Sequence, residues 1–126
     1  MQEFGLTYKW DNVWVVFSPF TNFKILKFLH LGFKHCFVIL ENCGNFFIVD
    51  PLAFKIEVSS FYLGKDNLFS YLQKMGMTVV KTNIKGDFKT NWHFSIFTCV
   101  EVVKRILGIS KISIITPYQL YKYLVK

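Results

Sequence analysis

Apolar residues in this chain follow two rhythms, a period of two in some stretches and of three to four in others, and the switches between them delimit its elements. Residues 12–17 (NVWVVF) are β-branched or aromatic almost throughout, which predicts a strand closed by Ser18-Pro19. Thr21 then caps a helix over 22–31, in which Phe23, Leu26, Leu29 and Leu31 recur at helical spacing before Gly32 ends it. Two strand-like runs follow, 34–40 (KHCFVIL) and 45–50 (NFFIVD), joined by the turn-forming stretch Glu41-Asn42-Cys43-Gly44. A turn centred on Cys43-Gly44 sets Asp50 opposite Phe37, and so diagonal to His35 on one face of the hairpin. Pro51 interrupts the ladder, and 53–58 (AFKIEV) alternates Phe54, Ile56 and Val58 with polar neighbours, as the half-buried third strand of a meander would.

In the second half, Asp66 or Asn67 starts a short helix through LFSYLQKM that Gly76 terminates, and 77–84 (MTVVKTNI) returns as a strand. A loop with Gly86 and Asp87 leads to 98–107 (TCVEVVKRIL), which places Val102, Val103, Ile106 and Leu107 on one helical face. Lys104 and Arg105 fall in its last turns and Gly108 stops it. A short apolar strand (KISII) precedes Thr116-Pro117, which opens a closing helix over 118–125 with proline at its first position. The pattern predicts one α+β domain over 1–126, an antiparallel meander packed against the helix that carries Cys99.

Composition agrees with a globular domain: 52% of the 126 residues are hydrophobic and 15 are Phe, enough apolar surface to offset chain entropy. Lys, Asp, Glu or Asn interrupts each apolar run before it reaches the roughly 18 residues of a membrane span. The opening MQEFGLTYKWD lacks the basic and apolar regions of a signal peptide, so the expected location is cytoplasmic or virion-associated. Fifteen Lys and Arg against eight Asp and Glu give a charge of +7, which favours acidic partners. These cations are scattered rather than blocked, so they read as a solvated surface, and nucleic acid is not an expected partner. The abundance of Lys, Asn, Ile and Phe fits an AT-rich genome, such as that of a phage or a small bacterium.

Three cysteines, Cys36, Cys43 and Cys99, are an odd number, so at least one thiol is free. With no C-x-x-C or H-x-x-x-H spacing, neither a metal nor another cofactor is called for. His30 reads as an exposed helix residue and His93 as a loop residue, while Trp10, Trp14 and Trp92 read as core or groove lining. Cys99 stands apart by its context. Thr98-Cys99-Val100-Glu101 has the S/T-x-x-E form of a capping box, which makes Thr98 the N-cap and puts Cys99 in the first helical turn. Unpaired N–H groups and the positive end of the helix dipole favour thiolate there, and the Cys99 N–H can donate to an oxyanion. His35, opening its strand, is the candidate base, and Asp50 is the candidate to orient the imidazole.

In order and spacing these pieces resemble the circularly permuted NlpC-type papain-like cysteine hydrolases, a group with lecithin:retinol acyltransferase relatives. The matching pieces are VWVVFSP, then a helix, GFKHCFVIL, GNFFIVDP, TCVEVVKRIL and ITPYQLYKYL, which together span about residues 12 to 124. Two positions depart from the family pattern: Lys34 stands where the residue is often small or hydroxylated, and a second thiol, Cys36, follows the histidine. The resemblance implies Cys99 as nucleophile, His35 as base and Asp50 as the orienting residue. It further implies a thiol hydrolase cleaving an amide, with the peptides of peptidoglycan as first substrate and anionic wall polymer attracting the cationic chain. Two other readings stand beside it: a structural or binding component of a phage virion, in contact with other virion proteins, and a lipid acyltransferase or esterase.

Overall fold

The computed structural model describes residues 10–20, 33–52, 55–61, 64–84 and 99–126. Its centre is β1 (Asn12–Ser18), in which Val13 to Ser18 are all buried, so that both faces of the strand are covered. A strand enclosed on two sides has no position for a polar residue, which is why NVWVVF is an apolar run rather than an alternation. It pairs antiparallel with β2 (His35–Asn42) on one side and with β5 (Thr78–Thr82) on the other. Beyond β2 come β3 (Asn45–Pro51) and β4 (Ile56–Phe61), giving an all-antiparallel sheet of order β4-β3-β2-β1-β5.

The β2–β3 hairpin turns through Cys43 and Gly44, at φ of 53° and 81°. Two successive left-handed residues make the tight turn whose twist matches that of paired strands, and glycine adopts the second without strain. The turn fixes the register, with Asn42 opposite Asn45 and Val38 opposite Val49. Carried toward the other end of the hairpin, that register sets Phe37 opposite Asp50.

Alternation gives the sheet two apolar faces. On one, Trp14, Val16, Phe37, Ile39 and Phe46 pack against Leu68 and Leu72 of α1 (Lys65–Lys74). On the other, Val13, Val15, Phe17, Cys36, Val38 and Leu40 meet Val100, Val103 and Leu107 of α2 (Cys99–Leu107) and Leu120 of α3 (Pro117–Leu124). The fold is therefore α+β, a five-stranded antiparallel sheet with three helices packed on it among the described residues. None of these helices is long and apolar enough to cross a membrane.

Several elements differ from expectation, each for a physical reason. The third strand of the meander is β4, Ile56–Phe61; residues 53 and 54 of the predicted 53–58 lie outside the described residues, and Ile56 and Val58 are exposed rather than half-buried. β4 lies at the sheet edge, two strands out from β2, beyond the reach of α2. α1 begins at Lys65 with Gly64 as its cap and no capping side chain, ahead of the expected Asp66 or Asn67. The buried stripe of α2 is Val100, Val103, Lys104 and Leu107, so the expected face is rotated and Val102 and Ile106 are only partly buried. Lys104 tolerates burial because its Nζ donates to Glu101 Oε1 at 2.9 Å and to the Ile114 carbonyl at 3.0 Å.

KISII forms no strand. Ile112 and Ser113 lie in a turn across which the Ile114 N–H donates to the Lys111 carbonyl at 3.4 Å, with Ile112 and Ile115 exposed and Ile114 buried as a single anchor. α3 matches expectation: Pro117 opens it, the Thr116 hydroxyl accepts from the Gln119 N–H at 3.2 Å, and the Gln119 side chain accepts from the Thr116 N–H at 3.0 Å. The predicted helix over 22–31, the Thr98 cap, the loop with Gly86 and Asp87, and His30, Trp92 and His93 lie outside the described residues.

Candidate active site

β2 starts at His35 and α2 starts at Cys99, and packing brings those two starting points together. The beginning of β2 is pinned to β1, since Lys34 N–H donates to the Ser18 carbonyl at 2.8 Å and His35 lies opposite Ser18. Just before it, Phe33 wedges into α3, its ring 4.8 Å from that of Tyr121 and 5.1 Å from that of Tyr118. On the helix side, Val100, Val103 and Leu107 hold α2 on the sheet and Lys104 ties it to the segment before α3. Cys99 is thus set against the end of β2 by apolar contacts on either side.

Asp50 of β3 reaches the imidazole, with its Oδ1 2.6 Å from His35 Nε2. The two side chains are 22% and 33% exposed, so water screens this contact only in part. The hairpin register predicted from the turn residues is the one that makes the contact, because a slip of one residue would turn Asp50 to the other face. With Nε2 engaged by Asp50, Nδ1 is the ring nitrogen left for sulfur, and His35 also hydrogen-bonds Cys99. Cys99, His35 and Asp50, separated by up to 64 positions in the chain, therefore form one contiguous chain of polar contacts.

A fourth group joins them. Cys36 lies on the α2 face of β2, fully buried, and its thiol hydrogen-bonds Cys99. By strand alternation Cys36 faces away from His35, and the sequence alone gives it no role. The alternation is right, but His35 is the first residue of β2, so its ring meets the sulfur at the strand's end while Cys36 meets it from beneath. The usable signal was parity: Cys36 shares its face with Val38 and Leu40, the residues that α2 covers.

These contacts set the charges. A hydrogen bond from Cys36 outweighs the desolvation that pushes the Cys99 thiol up. Together with the hydrogen bond and charge of His35, it holds Cys99 at about 5, far below an ordinary thiol. Burial pulls His35 down, but hydrogen bonds to Asp50 and Cys99 and the charges of both lift it from 6.5 to about 9. Burial drives the Cys36 thiol well above its usual range, so it keeps its proton and acts as a donor. Near neutral pH the resting site is a thiolate–imidazolium pair.

Such a pair offers a nucleophile and a proton donor a bond apart, the elements of acyl transfer through a thioester. Among the described residues no cluster of three or more His, Cys, Asp or Glu side chains is placed to hold a metal ion. No model of a known protein family matches the chain, and neither does any curated protein or solved structure.

Proposed function

We propose that this protein is a thiol hydrolase of the permuted papain-like kind, cleaving an amide bond with Cys99 as nucleophile, His35 as acid and base, and Asp50 as the group that orients the imidazole. The observation that carries the reading is the unbroken line from Asp50 through His35 to a thiolate at the first turn of α2. Two features of it are more than a folded domain needs: a charge pair at the start of a helix, and a carboxylate holding one ring nitrogen so that the other faces sulfur.

In this mechanism the Cys99 sulfur attacks the amide carbon, and N–H groups in the first turn of α2 receive the negative oxygen. His35 gives its proton to the departing nitrogen, the C–N bond breaks and a thioester remains. The neutral imidazole then takes a proton from water, whose oxygen attacks the thioester, and the acid product leaves with Cys99 restored as thiolate and His35 as imidazolium. Asp50 fixes the ring and stabilises its charge throughout. The substrate proposed is the peptide of peptidoglycan, whose anionic polymer setting complements a chain of charge +7.

Purified peptidoglycan digested with the protein and analysed by mass spectrometry tests this. New amino termini that appear with the wild type and vanish with Cys99→Ser support it. Cleavage undiminished in Cys99→Ser overturns the proposed nucleophile. No cleavage of peptidoglycan or of released muropeptides overturns the substrate, and the virion-component reading would then take its place.

A further inference from the structure

Cys36 and Cys99 come from different elements, and both are unbridged. β2 presents Cys36 to α2, where it is wholly buried within the cluster against which Cys99 packs. The Cys36 thiol lies near enough to Cys99 to help hold it as thiolate, and Cys99 keeps part of its surface open to solvent. A partly exposed sulfur touching a second, protected thiol is the arrangement in which a sulfenic acid finds a resolving cysteine.

We propose that Cys36 and Cys99 form a reversible redox-modification site, at which a hydroperoxide oxidises Cys99 and Cys36 captures the product as a Cys36–Cys99 disulfide. The inference goes beyond hydrolysis, since it needs two sulfurs and the neighbouring imidazole but no acyl substrate. In the first step the Cys99 thiolate attacks the outer oxygen of hydrogen peroxide or an alkyl hydroperoxide. The O–O bond breaks, an S–O bond forms, and the departing oxygen takes the proton of His35 and leaves as water or alcohol. Two electrons pass from sulfur to peroxide.

In the second step the Cys36 sulfur attacks the sulfenic sulfur. An S–S bond forms, the S–O bond breaks, and the hydroxyl leaves as water with the proton from Cys36, relayed by His35. A reducing thiol such as dithiothreitol reverses the product by exchange. Cys43 cannot compete. It lies past the far end of β2, seven residues from Cys36, roughly 23 Å along an extended strand. A disulfide requires Cα atoms within about 7 Å.

The test is peptide mapping of the full chain, reduced, exposed to hydrogen peroxide, blocked with iodoacetamide and digested without reductant. The expected result is a linked Cys36–Cys99 peptide, removed by dithiothreitol and undiminished in Cys43→Ser. In Cys36→Ser, or Cys36→Ala if serine disturbs the core, the link is lost and Cys99 is trapped by dimedone as sulfenic acid or proceeds to sulfinic acid. The proposal is overturned if the oxidised wild type carries Cys99 as dimedone adduct or sulfinic acid with no such link, if Cys99 is linked to Cys43, or if Cys99 stays reduced. Because the readout contains no hydrolysis, its failure and that of the proposed activity are separate events.

Discussion

Removing the imidazole shifts the pH at which Cys99 becomes reactive, and the structure sets both the direction and the scale of the change. At about pH 5.5 a thiol held at about 5 is roughly 75% thiolate, whereas an ordinary cysteine of about 8.5 is roughly 0.1% thiolate. That population ratio of several hundred is partly cancelled, because a less basic thiolate is a weaker nucleophile, by about 25- to 55-fold over this interval. Alkylation at pH 5.5 is therefore about twentyfold slower once all stabilisation is lost, while at pH 7 the two effects nearly cancel. His35→Ala leaves the hydrogen bond from Cys36, so its own fall is smaller; in the double variant Cys36→Ala/His35→Ala burial stands unopposed and raises the thiol, so the fall there is at least about twentyfold. The assay is iodoacetamide labelling of Cys99 from pH 4 to 10, quantified by peptide mass spectrometry, with circular dichroism as a check on folding. A wild-type midpoint near that of free cysteine, or a midpoint that His35→Ala leaves in place, refutes the ion pair and the mechanism built on it.

Other perturbations probe the supports of the site. Asp50→Asn removes a charge and a hydrogen bond that raise His35, so its titration, followed by NMR of the ring Cε1 proton, moves down from about 9. Since the imidazolium is needed as acid and is lost as pH rises through that value, the alkaline limb of any hydrolytic activity moves down with it. Glu101→Gln leaves the buried Lys104 ammonium without its carboxylate and destabilises the fold by about 3–5 kcal/mol in urea titration, whereas Lys104→Met costs much less. A loss from Glu101→Gln no larger than that from Lys104→Met would show that Glu101 is not what makes burial of the lysine tolerable. Leu107→Ala opens a void in the cluster under α2 and costs about 2–5 kcal/mol. A smaller loss in urea titration would mean that α2 is only loosely held.

Local chemistry made much of this molecule legible in advance. A two-residue turn at Cys43-Gly44 dictates register by itself, so the Asp50–His35 contact followed from four residues and the alternation of strands. Pro117 behind Thr116 likewise opened α3 without help from packing. Where neighbours decide, the chain alone misled. KISII has the composition of a strand, but here the chain turns at Ile112 and Ser113 and buries only Ile114. The α2 stripe took in a lysine because Glu101 and the Ile114 carbonyl satisfy it, and no periodicity announces that.

The chemistry of Cys99 divides in the same way. Its place in the first turn of a helix, and so its bias toward thiolate, is written in its immediate neighbours. Which groups hold that charge was decided by tertiary structure, since the contact with His35 spans two elements and the thiol of Cys36 enters from beneath the helix. Electrostatic influence falls off over a few ångströms in space, whatever the separation in sequence. A chain can therefore name its own turns and caps, but the surroundings of a buried sulfur exist only after the sheet and helix have packed together.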